Sequence, residues 1–314
     1  MKRFLLFLFA AWCLASPALA QLNPMLRVTG SNQPSFREFV GSAGLDLPSD
    51  CTANTAEIAR ALAACTRVIE DEDNPNRALA YALVIRGDIY SNNADPAAVA
   101  DFEHAIDAYT ADIADEPDAR LYLGRGAVHY RLEHFDAALA DFNRAIALDP
   151  NSPTAFFNRA SVRFRRGDYR GAAADFDRTA LLVERASSRG ALRSAVRASH
   201  TSPAAHAGRC EARAAAGVQW EVAESACAAA LRNSGGGALF SRGFLRFMQG
   251  DFQRAWADFD AALEQDADNA QALYGRGVAA LRLGRRAEGQ ADIARATAAG
   301  GAALAYYADA GLTE

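Results

Sequence analysis

The sequence predicts an all-α solenoid of stacked antiparallel helix hairpins, and three observations carry that prediction. A unit of thirty-four residues recurs along most of the chain, each unit divides at a turn into two helical stretches, and small and aromatic residues return at the same places in most copies. RGAVHYRLEHFDAALADFNRAIALDP (125–150) aligns without gaps on RASVRFRRGDYRGAAADFDRTALLVE (159–184), thirty-four residues later. SRGFLRFMQGDFQRAWADFDAALEQDADN (241–269) and GRGVAALRLGRRAEGQADIARATAAG (275–300) repeat the pattern at the same interval. IRGDIYSNNADPAAVADFEHAI (85–106) is a copy lacking one turn residue, and GRCEARAAAGVQWEVAESACAAAL (208–231) is a degenerate copy with one extra. A lone hairpin cannot bury its apolar face, whereas stacked copies share one continuous core.

Taken from the start, residues 1–20 carry two cations, Lys2 and Arg3, an apolar run to about Leu14, and a small-x-small ending at Ala18-Leu19-Ala20. That is the form of a secretory signal peptide, so export to the periplasm or beyond is expected, without membrane insertion after cleavage. Trp12 before Cys13 argues against a lipid-attachment site, which needs a small residue there. Beyond residue 20 the formal charge is −7, from 31 cations and 38 acids, which gives no electrostatic case for nucleic acid. No lysine occurs after Lys2, so P-loop phosphate binding, Schiff-base and Ser-Lys chemistries lack their amine.

Residues 21–50 have no period and many turn formers, and are read as an irregular leader. Residues 51–79 form a half-repeat, with NTAEIARALAACTRVIE (54–70) resembling a second helix without a full first one. Repeats one to three occupy 80–184, a basic connector 185–202, repeats four to six 203–300, and a capping helix 301–314, with Tyr306 and Tyr307 expected to cover the last repeat. The connector carries Arg185, Arg189, Arg193 and Arg197 and no acid, which on a helix would share a face. Cys51, Cys65, Cys210 and Cys227 survive cleavage, an even number in an exported chain. Three connectivities are open; the local grouping favours Cys51–Cys65 and Cys210–Cys227.

Position by position, the units resemble the tetratricopeptide repeat family. The small first-helix residue stands at Gly87, Gly126, Ala160, Cys210, Gly243 and Gly277, and the turn glycine at Gly167, Gly217, Gly250 and Gly284. The second helix supplies Ala138, Phe142 and Ala145; Ala172, Phe176 and Thr179; Ala255, Phe259 and Ala262. The terminal proline is kept at Pro150 but replaced by Glu184 and Ala267 elsewhere, and the family's first-helix tryptophan is absent. The resemblance implies a right-handed superhelix whose concave face is lined by first helices. There it places Tyr130, Arg131, Phe157, Asn158, Phe164, Arg165, Phe240, Phe244, Phe247, Met248, Tyr274 and Arg282 as candidates to bind a protein partner, an extended peptide or a helix. Some of these rings are expected to pack between neighbouring first helices instead. It further implies an adaptor in envelope assembly, but not the chaperone-tail clamp, whose lysine and asparagine pair is missing.

Chemistry is sparse. Gly-x-Ser-x-Gly, His-Glu-x-x-His and Cys-x-x-Cys motifs do not occur, and His129 and His134 are poorly spaced for two ligands on one helical face. No catalytic residue, metal site or cofactor is expected. Competing function classes are an accessory hydrolase or glycan- or lipid-handling protein, and a self-associating structural repeat. One further regularity lies outside the family pattern. Arginine precedes the small position in all six copies (Arg86, Arg125, Arg159, Arg209, Arg242, Arg276), and aspartate precedes the aromatic or its substitute in five (Asp101, Asp141, Asp175, Asp258, Asp292). The fourth copy has Ala226 there. A ladder of Arg–Asp pairs is expected, since the planar guanidinium can engage a carboxylate twice.

Overall fold

In the computed structural model, the described residues are 51, 58–71, 73–92, 95–188, 201–234, 238–300 and 309–312. They form thirteen helices and no strand: α1 Ile58–Glu70, α2 Asn76–Asn92, α3 Ala97–Asp115, α4 Ala119–Arg131, α5 Phe135–Leu148, α6 Pro153–Arg165, α7 Tyr169–Ser188, α8 Thr201–Ala216, α9 Trp220–Ser234, α10 Leu239–Met248, α11 Phe252–Gln265, α12 Ala270–Arg282 and α13 Arg286–Gly300. From α2 onward they pair into six hairpins, and α1 packs on α2 as the half-repeat at the front. The signal and leader fall outside the described residues, as do Arg189, Arg193 and Arg197 of the connector; Arg185 sits on the exposed last turns of α7.

Local chemistry sets the boundaries. Ser152 caps α6 by accepting from the Ala155 N–H, with Pro153 at the first helical position, where no amide donor is needed. Asp118, Asp251 and Asn269 cap α4, α11 and α12 in the same way. The turns between hairpin partners require left-handed backbone, which Gly167, Gly217, Gly250 and Gly284 supply at φ between 63° and 82°. In the second hairpin a non-glycine residue, Glu133, adopts φ 59° at the turn.

Packing follows the small and aromatic positions. A Cβ added at Gly126 would stand 2.8 Å from the Phe142 ring, so glycine is what lets α4 and α5 approach. Phe259 of α11 is gripped from two sides: a Cβ at Gly243 in its own hairpin, or at Gly275 in the next, would stand 2.7 Å from the ring. Phe259 is fully buried, as are Phe102 and Phe142 to within 1%. Each such ring contributes roughly 1.5–3 kcal/mol by leaving water.

Successive hairpins are joined by second helix to following first helix, and by first helix to first helix from α4 through α6, α8 and α10 to α12. Second helices of neighbouring hairpins do not pack on one another comparably, so the stack curves toward the first helices. The described chain is therefore an all-α helical solenoid with the first helices on its inner side.

The expected ladder is present in all five copies that carry the aspartate. Arg86, Arg125, Arg159, Arg242 and Arg276 each donate through Nε and Nη2 to the two carboxylate oxygens of Asp101, Asp141, Asp175, Asp258 and Asp292, at 2.6–2.9 Å. These aspartates are only 3–5% exposed, which makes the two-pronged bond necessary rather than decorative. The remaining nitrogen, Nη1, reaches back to the preceding second helix: from Arg86 to Thr66, from Arg125 to Thr110, from Arg159 to Asn143 and from Arg276 to Asp260, at 2.6–3.1 Å. Each of these four guanidinium groups thus closes its own hairpin and fastens it to the one before.

The fourth copy departs as its missing aspartate requires. Arg209 turns to the previous hairpin, donating from Nε to Asp177 at 2.7 Å, and Arg213 joins it on the other oxygen at 2.6 Å. Inside this hairpin Cys210 and Cys227 stand paired at bonding distance, with Cα atoms 5.3 Å apart; Cys51 and Cys65 are paired likewise at 4.7 Å.

Candidate functional site

The inner surface is built from α2, α4, α6, α8, α10 and α12. Five of the twelve residues placed there by the sequence are core residues in the structure. Phe164, Phe240, Phe244, Phe247 and Tyr130 are 9% exposed or less, and the ring partners of four of them include residues on the second helix of the same hairpin. Phe240 stacks on Phe244 at 6.5 Å between centroids and leans on Phe259 at 5.5 Å, while Phe247 meets Phe252 and Phe164 meets Tyr169, both at 5.1 Å. These five are among the rings expected to pack rather than to face a partner, and they are buried.

Two arginines tie first helices together. Arg131 donates from Nε and Nη2 to Asp88 on α2 at 2.6 and 3.0 Å, and Arg165 donates to Glu133 at 2.8 Å. Both remain half-buried on the inner side. Of the remaining candidates, Phe157, Asn158, Met248 and Tyr274 are half-buried, and Arg282 is exposed and lies over the Phe252 ring at 5.9 Å. Between them α8 presents only small side chains, Ala204, Ala207 and Ala215 with Gly208, all half-exposed.

Sequence reasoning did not foresee that part of this surface is already covered. Asp309–Leu312, the described residues following α13, lie against Met248 at the end of α10: a Cβ at Gly311 would stand 2.8 Å from Met248 Cε. Ala310 and Leu312 are buried in the apolar cluster that holds Phe164, Phe244 and Phe247. The Tyr169 phenol at the start of α7 has its pKa raised, first by burial and then by the nearby Asp309 carboxylate. Tyr306 and Tyr307, expected to cover the last repeat, fall outside the described residues. The legible signal was Leu312 itself, an aliphatic residue in a segment otherwise of small and polar groups.

Chemically the surface offers apolar contact, aromatic faces and cations. His129 and His134 have ring centroids 5.8 Å apart, and no cluster of three or more metal-ligating groups exists among the described residues. A depression lined by Leu281, Gly284, Arg286 and Gln290 contains no nucleophile–base pair. No helix among the described residues is long and apolar enough to cross a membrane.

Two family models described as Tetratricopeptide repeat match the chain, one over residues 126–197 and the other over 96–153 and 245–303, together just over half of its length. Over 60 residues the chain is 40% identical to the Protein SGT1 homolog of Oryza sativa subsp. japonica. That stretch is 19% of this chain and 16% of the rice protein, so the chain spans about a sixth of that curated relative. Among solved structures, a tetratricopeptide repeat protein from Parabacteroides merdae superposes with TM-score 0.58 at 17% identity, covering 88% of this chain and 98% of the other. PilW, a widely conserved type IV pilus biogenesis factor, superposes with TM-score 0.53 at 17% identity over 70% of this chain and 93% of its own. Cut9–Hcn1, from the APC/C, gives TM-score 0.53 at 15% identity over 88% of this chain and 53% of that one. At these identities the structural matches bear on the fold alone.

Proposed function

Because the chain belongs to the tetratricopeptide repeat family, we propose that it is a non-catalytic, exported scaffold that binds a protein partner, as an extended peptide or helix, along the inner face of its first helices. The observation that carries this reading is the seating of Asp309–Leu312 against Met248: a short, non-repeat stretch of polypeptide is accommodated on that face, with Leu312 fully buried. The residues flanking the seat, Phe157, Asn158, Tyr274 and Arg282, are of the kinds that dominate protein recognition. The opening residues together with the paired cysteines support a periplasmic location, and with it work in envelope assembly.

The test is photo-crosslinking in intact cells with a reactive amino acid placed at Asn158 or Tyr274, and at Glu103 or Glu264 on second helices as controls. Adducts with a discrete partner at the first pair alone are expected. Equal labelling at all four positions, or adducts at the second-helix positions alone, would overturn the inner face as the binding surface. Fractionation of the same cells should recover the chain with the periplasmic contents; recovery with the cytoplasm would overturn the location.

A further inference from the structure

The seat of Asp309–Leu312 has a specific shape. Met248 of α10 bounds it, and Ala310 and Leu312 sit in the apolar cluster that also holds Phe164, Phe244 and Phe247. Between α7 and α10 in chain order lies α8, whose Ala212 and Ala214 belong to the same apolar cluster as Leu312. Alanines where α4, α6 and α10 carry Val128, Tyr130, Val162, Phe164, Leu245 and Phe247 leave volume unfilled by the hairpin itself. Leu312 is 0% exposed and Ala310 4%, so the segment is held by burial. Gly311 has φ 109°, a backbone conformation that L side chains rarely adopt, and its missing Cβ would fall 2.8 Å from Met248 Cε. The seat thus selects a glycine followed by an aliphatic anchor and preceded by a small residue.

We propose that this seat recognises a partner protein's segment of that make, small–Gly–Leu, and that Asp309–Leu312 competes for it from within the chain. The proposal rests on the reading of the inner face as a protein-binding surface. It deepens that reading by naming the sequence chemistry accepted at one place on it. A tethered competitor acts at an effective concentration in the millimolar range, so a partner segment of micromolar affinity would be held off until locally concentrated or joined to a second contact.

The test uses the full chain and a fluorescent peptide of residues 307–314, Tyr-Ala-Asp-Ala-Gly-Leu-Thr-Glu. Gly311→Val forces a Cβ into Met248, and Leu312→Asp removes the anchor; either variant should vacate the seat. Fluorescence anisotropy should then show the peptide binding both variants at least about tenfold more tightly than the unaltered chain. A peptide with aspartate in place of leucine should bind none of them, and circular dichroism should show helix content unchanged. Equal peptide affinity for the unaltered and opened chains, or no binding to either opened variant while its helix content is intact, overturns the proposal. Crosslinking from Asn158 and Tyr274 without peptide binding would leave the inner face standing and remove this seat alone; peptide binding without those adducts would do the reverse.

Discussion

Arg159 shows how much one side chain can settle in this molecule. Nε and Nη2 close α6 onto α7 through Asp175, and Nη1 bonds Asn143 on α5, so a single guanidinium orients three helices. Asp175 is shared further, accepting from Arg163 at 2.7 Å, and it is 4% exposed. Removing its charge leaves two guanidinium groups under-paired, so Asp175→Asn should lower stability by about 2–3 kcal/mol, and Asp141→Asn, with one arginine, by less. Thermal melts read both. The histidines give a pH dependence of definite sign. His206 has its pKa lowered from 6.5, first by burial and then by the charge of Arg209, while Glu184 opposes; its Nδ1 accepts from Arg209 Nη1 at 3.2 Å, which protonation would forbid. His129 is lowered as well, mainly by burial. For both, the unfolded chain takes up the proton first, so their stability contribution is present above about pH 6.5 and is lost as pH falls through that value toward the folded pKa. Melting temperature should fall from about pH 7.5 to about pH 5.5, and His206→Gln should flatten the fall; an equally steep fall in the variant would show that other groups set it.

Within a hairpin, the close approach of helices is what the small positions make possible. Gly275→Ala would push a methyl to 2.7 Å from Phe259, a ring already held by Gly243 opposite, so the ring cannot retreat. A loss of about 1–3 kcal/mol is expected in denaturant melts, and an unchanged midpoint would show that α12 can shift instead. The fourth hairpin lacks both the aromatic and the ladder aspartate, with Ala226 and Cys227 in their places. Its pair Cys210–Cys227, seventeen residues apart, should therefore matter more than an average cross-link. Reduction should cost about 3 kcal/mol, read as a lowered midpoint under dithiothreitol. The hairpins and their ladder were legible in the sequence because both are periodic: a residue facing the same neighbour in every unit recurs at a fixed offset. The groove was less legible. Phe240, Phe244 and Phe247 occupy successive inner positions, and whether such a ring meets solvent or the next helix depends on the spacing between helices, which no single unit encodes. The second acceptors, Asn143, Asp177 and Asp260, do recur two residues after a ladder aspartate, and that offset could have revealed them.

Over the whole molecule, stability passes from neighbour to neighbour. The thirty-four-residue spacing breaks between α7 and α8, where Asp177 alone receives both Arg209 and Arg213. Asp177→Ala should uncouple the first three hairpins from the last three. Trp220 and Trp256, the tryptophans among the described residues, both report on the later half, whereas circular dichroism reports on all helices. The two signals should coincide in the unaltered chain and separate in the variant. Coincidence in both would show that the α7–α8 packing suffices without the ion pairs. A different weakness lies one hairpin further on. Arg242 has no acceptor matching Asn143 or Asp260, since Ala228 stands in that place, and its side chain is 34% exposed against 16–19% for Arg86, Arg125, Arg159 and Arg276. There α9 also meets α10 less extensively than other second helices meet the first helices after them. Asp309–Leu312 lies at this junction, against Met248 of α10 and in the apolar cluster that holds Ala212 and Ala214 of α8. A segment exchanged at the seat is therefore expected to alter the angle between the fourth and fifth hairpins, and so the curvature of the stack.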